Sequence, residues 1–350
     1  MFPGLTFPCT QDIQRTLKKD MEGEVQYRFE PSRGTPGDKI MATRKLLDNI
    51  SNPTYNEPGA ITHMRSFTLD QAKAEATGWE TYGFLGHSTL EVTVAPAKEV
   101  FELESYQNYL STTLLSGSKV WLVFPPTQEN LDRLHKVYED MHASFPLTVP
   151  HVLVQMQHGI AIIKNPGQTL LLPPYWPAMA FCTRTSTSCG FFTATATNFM
   201  QRVKCMDLRL SITALCDTPE QQQAHFVQHA TELATHLTKI FAEKLPKGVK
   251  IAGIQQAIYG EWNRSIAIPG YTNMHQKVAR LLSMINDQVV AHSIRQKLQQ
   301  VWIDFAVRKR QSAKKKLCFW CRMSIEGMPG KGKTLDQRLA QHIVDVHCSL

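Results

Sequence analysis

Near the C-terminal end of the sequence, four residues have types and spacing that suit metal chemistry. Cys318-x-x-Cys321 is followed, after 20 intervening residues, by His342-x4-His347. Two soft thiolates and two imidazoles suit tetrahedral Zn2+, and four protein ligands close the shell, so the expected role is structural. Cys348 offers an alternative to His347 as fourth ligand. A segment of this size has little core of its own, so metal binding is expected to supply much of its folding free energy.

The elements around these ligands are legible too. "TLDQRLAQHIVDVH" predicts a capped helix with Leu335, Leu339 and His342 on one side. The arrangement resembles a Cys2His2-type zinc finger, although its linker is longer than the usual 12 residues of DNA-reading fingers. That length counts against base-specific recognition more than against zinc binding. The run "VRKRQSAKKK" leads directly into the motif.

Charge is concentrated in the same place. Ten Lys/Arg lie between residues 308 and 338 against Glu326 and Asp336, an excess equal to the +8 of the whole chain. Clustered cations neutralise phosphates and release counterions. Arg308, Lys309, Arg310, Lys314, Lys315 and Lys316 are therefore the expected nucleic-acid contacts, and the run also suits nuclear import.

Upstream, the 350-residue chain divides by pattern. Residues 1–60 are mixed and rich in Pro and Gly, with one short helix in "KIMATRKLLDNI". From about residue 79 to residue 197, "TLEVTVA", "KVWLVFPP", "GIAIIKN", "TLLLPP", "MAFCTRT" and "GFFTATA" predict short strands. "TQENLDRLHKVYEDMHASF" predicts an amphipathic helix inserted between them. After Asp217 the period becomes helical. "TPEQQQ" supplies an N-cap at Thr218 and a first-position Pro219, and "TNMHQKVARLL…" continues as two helices. The domains expected are 1–60, a β core at 61–205, a helical layer at 206–307, and the basic arm with its finger at 308–350.

Two of these segments carry a resemblance. "LSGSKVWLVFPP" (115–126) and "NPGQTLLLPPYWPAMAF" (165–181) resemble, in that order, the Gly-x-Lys-x-Trp strand and the Pro-x-x-Trp turn of JmjC domains. The resemblance spans roughly residues 40–200 and implies a cupin-like double-stranded β-helix. Active members of that family are Fe(II)/2-oxoglutarate oxygenases. They hold iron with a His-x-Asp/Glu pair and a later His, which leaves one side of the metal open.

The later His would stand two residues after the Trp, where this chain has Ala178. The family spacing back from Lys119 puts Glu102 and Glu104 at the His-x-Asp/Glu positions, and a second register puts Glu91 and Thr93 there. Neither register supplies an imidazole. Lys119 matches the lysine that binds the 2-oxoglutarate carboxylate in some members, and an ion pair at the cavity mouth is the plainer reading of it. His87, His151 and His158 lie nearby in sequence and are read as structural. Fe(II) and 2-oxoglutarate are accordingly not expected.

His225, His229 and His236 fall near one helix face without the Glu a metalloprotease pattern needs, and suit an interhelical or solvated face. The other five of eight cysteines (9, 182, 189, 205 and 216) are scattered, so no disulfide scaffold is expected. No apolar run approaches a membrane span, and the first residues lack the pattern of a secretory signal. The expectation is a non-catalytic, nuclear, chromatin-associated JmjC-like protein, with nucleic acid or chromatin proteins as partners. The alternative is an active oxygenase, a demethylase or hydroxylase with an unusual ligand set.

Overall fold

β-Branched and aromatic residues fit a pleated, half-buried surface, and they build one antiparallel sheet of eight strands. These are β1 (Ile61–Arg65), β2 (Phe84–His87), β3 (Glu91–Ala95), β4 (Val100–Glu104), β5 (Tyr109–Val123), β6 (Ile160–Lys164), β7 (Thr169–Leu172) and β8 (Ala178–Thr195). This computed structural model describes residues 15, 45, 48–49, 61–65, 82–88, 91–143, 153–215, 218–242, 251–262, 272–314, 316–328, 330 and 332–348. Two compact units result. One gathers Met1–Glu80 with Gly86–Asn198, the other Thr81–Leu85 with Phe199–Leu350.

The two long strands organise the first unit. β5 and β8 pair along most of their lengths, and each has further partners on its other edge. β5 carries β7 against residues 110–113 and β6 against residues 119–123. β8 carries β4 near its start and β3 against residues 186–190. Most of β8 is buried, with Thr183 and Arg184 as the exposed exceptions. A strand buried on both faces loses the polar alternation of a one-sided sheet, which is why Thr185, Ser186, Thr187 and Ser188 are all interior.

Where β5 shifts register against β8, Gly117 adopts φ +83°. A Cβ there would stand 2.1 Å from the Thr185 carbonyl oxygen and 2.6 Å from the Ser186 Cα. The glycine of the Gly-x-Lys motif is thus a steric requirement of a bulge.

Between β5 and β6 runs helix α1 (Gln128–Ala143), as its spacing predicts. Buried Asn130 fixes its start: the side-chain amide donates to the carbonyls of Pro125 (2.9 Å) and Gln157 (3.1 Å) and accepts from the Gln157 N–H at 2.9 Å.

The second unit is helical: α2 (Phe199–Lys204), α3 (Met206–Ala214), α4 (Pro219–Phe241), α5 (Ile251–Trp262), α6 (Met274–Ser283), α7 (Gln288–Ala313) and α8 (Leu335–His342). Thr218 caps α4 by accepting from the Gln221 N–H, with Pro219 at the first turn. Asn273 and Gln276 form a reciprocal cap on α6. Phe241, Trp262, Trp302 and Phe305 make the aromatic centre, with Phe241–Trp302 and Trp262–Trp302 centroids 4.9 and 4.8 Å apart. Such pairs add about 0.5–1.5 kcal/mol each beyond burial. The segment 308–350 belongs to this unit, and Arg308, Lys309 and Arg310 are the last turns of α7. No helix among the described residues is long and apolar enough to cross a membrane.

Candidate metal centre and the cavity of the β unit

The Pro-Pro-Tyr-Trp-Pro turn between β7 and β8 is tightly held. Tyr175 takes φ +61°, its N–H donates to the Tyr106 carbonyl at 2.7 Å, and the Phe124 N–H donates to the Pro177 carbonyl at 2.9 Å. The turn delivers Ala178 to the first position of β8, opposite Glu104 of β4 and Val123 of β5. Ala178 and Glu104 both line a cavity, together with Glu91, Tyr106, Lys119 and Trp121. Thr93 lines it too, so both members of the second register and one of the first face the same space. Glu102 lies in β4, but its side chain is outside the described residues.

Among the described residues, no histidine lines this cavity. His87 is exposed with its ring against Phe191, and His158 is exposed in the turn before β6. His151 lies outside the described residues. The described lining offers carboxylates and, at position 178, a buried methyl group, which is not the two-imidazole, one-carboxylate set that suits non-haem Fe(II).

Electrostatics divide the cavity. Burial raises the Tyr106 hydroxyl well above its usual range, and the neighbouring Glu104 reinforces this by charge and hydrogen bonding. Lys119, 3% exposed, donates to the Ser188 hydroxyl at 3.1 Å and lies 4.4 Å from the Phe101 ring centroid. Burial lowers its pKa, opposed by Cys182 and Glu99. Directly across the β5–β6 register stands Lys164, 2% exposed, which donates to the Thr112 carbonyl and to its hydroxyl. Burial, then the Lys119 charge, bring the Lys164 pKa down to about 6. Sequence reasoning missed this second lysine, because the last residue of "GIAIIK" reads as a solvent-facing strand end.

The second site lies in the helical unit. Its metal-ligating atoms, from Cys318, Cys321, His342 and His347, all fall within 4.8 Å of one another. Cys321 Sγ is 3.2 Å from His342 Nε2, and Cys318 Sγ is 3.7 Å from His347 Nε2. Tetrahedral zinc with bonds of about 2.0–2.3 Å places ligand atoms about 3.3–3.8 Å apart, so the two Cys–His pairs stand near that spacing and the group of four could hold the ion. A short hairpin with a Leu317–Ser324 bridge presents the two cysteines, and Thr334 with Gln337 caps the histidine-bearing α8.

Residues five apart on an α-helix lie about 140° apart around the axis. Here the α-helix widens into a π-helical turn at Ile343–His347, and the two imidazole centroids come within 5.0 Å. Burial lowers the pKa of both imidazoles, that of His347 to about 4, so they stand neutral and ready to ligate. Cys348 is buried outside the ligand group, and burial pushes its thiol up.

This segment is docked on the helices. Trp320 stacks on Tyr259 at 5.4 Å with a 10° interplanar angle and meets Trp302 at 5.6 Å. Trp262 Nε1 donates to the His347 carbonyl and Gln299 Nε2 to that of Cys348, both at 3.0 Å.

Several of the expected nucleic-acid residues are engaged within the unit. Arg308 donates to the Phe241 carbonyl, Lys309 lies over the Phe305 ring, and Arg310 Nε pairs with Asp336 at 2.6 Å. Lys316 pairs with Glu326 at 2.5 Å, Lys314 is exposed at the left-handed C-cap of α7, and Lys315 lies outside the described residues.

Two of the three helical histidines are buried against an arginine. Arg202 of α2 reaches His236 Nδ1 at 2.8 Å, His229 Nδ1 at 3.4 Å and Glu232 Oε2 at 3.0 Å. This is an interhelical tie, and both imidazoles are held neutral by burial and by the Arg202 charge.

No protein-family model matches the chain, and no curated protein matches it.

Proposed function

We propose that the chain is a non-catalytic, JmjC-like nuclear protein. Its sheet is a double-stranded β-helix built on the long β5 and β8, kept as an interaction scaffold after loss of the iron site. Its helical unit is clamped by structural Zn2+ and carries the cationic surface that meets nucleic acid or a chromatin protein. The observation that carries this reading is the methyl group of Ala178 opposite Glu104, where an oxygenase needs an imidazole. The Lys119 side of the cavity supports it: in place of the ion pair expected at the cavity mouth, Lys119 is buried and already has the Ser188 hydroxyl and the Phe101 ring as partners.

The reading is tested by incubating the intact chain with Fe(II), ascorbate and 2-oxoglutarate and measuring succinate. No succinate above a heat-denatured control is expected. Turnover that disappears with Glu104→Ala would establish the oxygenase alternative.

A further inference from the structure

The hairpin that carries the two cysteines also displays large apolar side chains. Leu317, Phe319 and Met323 are 40%, 36% and 54% exposed, whereas Trp320 and Ile325 of the same segment pack inward. Burying such side chains against a partner gains about 25 cal/mol per Å2, and leaving three of them within seven residues of each other is a standing cost. A cationic surround accompanies them. Lys314 is exposed just before the hairpin and Arg322 within it, and Lys309 lies on Phe305, whose ring is 6.1 Å from that of Phe319. The nearby carboxylates Glu326 and Asp336 are already paired with Lys316 and Arg310.

We propose that this metal-held hairpin is a docking surface for an acidic segment of another protein that bears large apolar side chains. The proposal rests on the metal-clamped reading of the helical unit and names the partner of that surface. Charge complementarity selects the sign, and the exposed Leu317 and Met323 select protein over a duplex. DNA offers phosphates and base edges, which would leave those side chains without an apolar counterpart. The helix that would enter a groove is also pinned. Asp336 of α8 is tied to Arg310, the Arg338 guanidinium donates to the Glu326 carbonyl at 2.9 Å, and Leu339 is buried. Aromatic and aliphatic anchors at the centre with charges around them are the usual anatomy of a protein interface.

The test is selection of a displayed random 16-residue peptide library against the zinc-loaded full chain. Enriched peptides are expected to combine Asp/Glu with Leu, Phe or Met. They are expected to bind the Met323→Glu and Leu317→Glu variants roughly tenfold or more weakly. Zinc content is measured on every sample: a chain without zinc sinks the clamp, whereas full zinc with no such peptides sinks only the docking surface. Peptides indifferent to both substitutions, or enriched in Lys/Arg, overturn the proposal. So does a 20-base-pair duplex whose binding depends on Met323 while no peptide binds.

Discussion

Glu104 and Ala178 stand opposite each other in the register of β4 on β8, and Ala178 is simultaneously the partner of Val123 on β5. The position is therefore fixed from both sides by backbone pairing, and the cavity inherits its shape from the strands. The side chain at position 178 can therefore change without disturbing the walls. The same independence of frame and chemistry makes the following outcomes separable by experiment.

Gly117→Ala is expected to destabilise the β unit by about 2–4 kcal/mol or to prevent its folding. The cause is local: positive φ, and a Cβ driven into the Thr185 carbonyl and Ser186 backbone, which cannot move without breaking the β5–β8 ladder. Urea unfolding followed by far-UV circular dichroism reads it. An unchanged midpoint would mean that the bulge is not formed.

Lys164→Met is expected to stabilise the chain by about 2–4 kcal/mol at neutral pH. The amine has a pKa of about 6 in the fold against about 10.4 in the unfolded chain. A depressed pKa means that stability is full above the unfolded value and is lost as pH falls towards 6. The advantage of the methionine variant should therefore grow between pH 10 and pH 6. Melting curves across that range check it, and an advantage that is constant with pH would contradict it.

The Arg202 tie gives the helical unit its own acid sensitivity. His236 has its pKa lowered to about 3, chiefly by burial and then by Arg202, and that of His229 is lowered well below its usual value for the same reasons. Around them, Arg202, Arg209 and Lys239 oppose protonation, as His236 does for His229, while the Glu232 carboxylate is paired with Arg202. Stability is complete above pH 6.5 and falls below it, by at most about 1.4 kcal/mol per pH unit for each imidazole. His236→Gln keeps an acceptor for Arg202 and should flatten this slope between pH 6.5 and 4. An unaltered slope in equilibrium unfolding would show that His236 is not the group that titrates.

Chelation of the metal should be felt well beyond the four ligands. Trp320 leans on Tyr259 and Trp302, and the segment after α8 is tied to Trp262 and Gln299. Adding a strong chelator is expected to red-shift tryptophan emission and to lower the melting temperature of the helical unit. Because Cys321 is exposed, the loss should not require global unfolding first. A spectrum and melting curve indifferent to the chelator would contradict a structural metal.

Much of the frame was legible in the sequence, because its signals are local. The alternation in "TLEVTVA", the Thr218–Pro219 start of α4 and the paired spacing of Cys318, Cys321, His342 and His347 each depend on neighbours within a few residues. β8 was not legible as one strand. Its middle, "TSTSCG", carries turn-forming residues, yet it is buried on both sides by β3 and β5. The strand predicted as "KVWLVFPP" starts at Lys119, whereas β5 begins at Tyr109 and runs through a bulge at Gly117. Lys164 faces Lys119 only because β6 returns to β5. The docking of the cysteine hairpin was equally hidden, since Tyr259 and Trp302 come from separate helices. The expected domain boundary at 308 put the basic run in a separate arm, while its first seven residues, Val307–Ala313, complete α7.

Elemental analysis of the intact, purified chain probes the central claim most directly. One zinc per chain, abolished by Cys318→Ser, with no iron in either protein, is the expected result. Stoichiometric iron that survives the Cys318→Ser substitution would place a working metal site in the β unit and contradict the account.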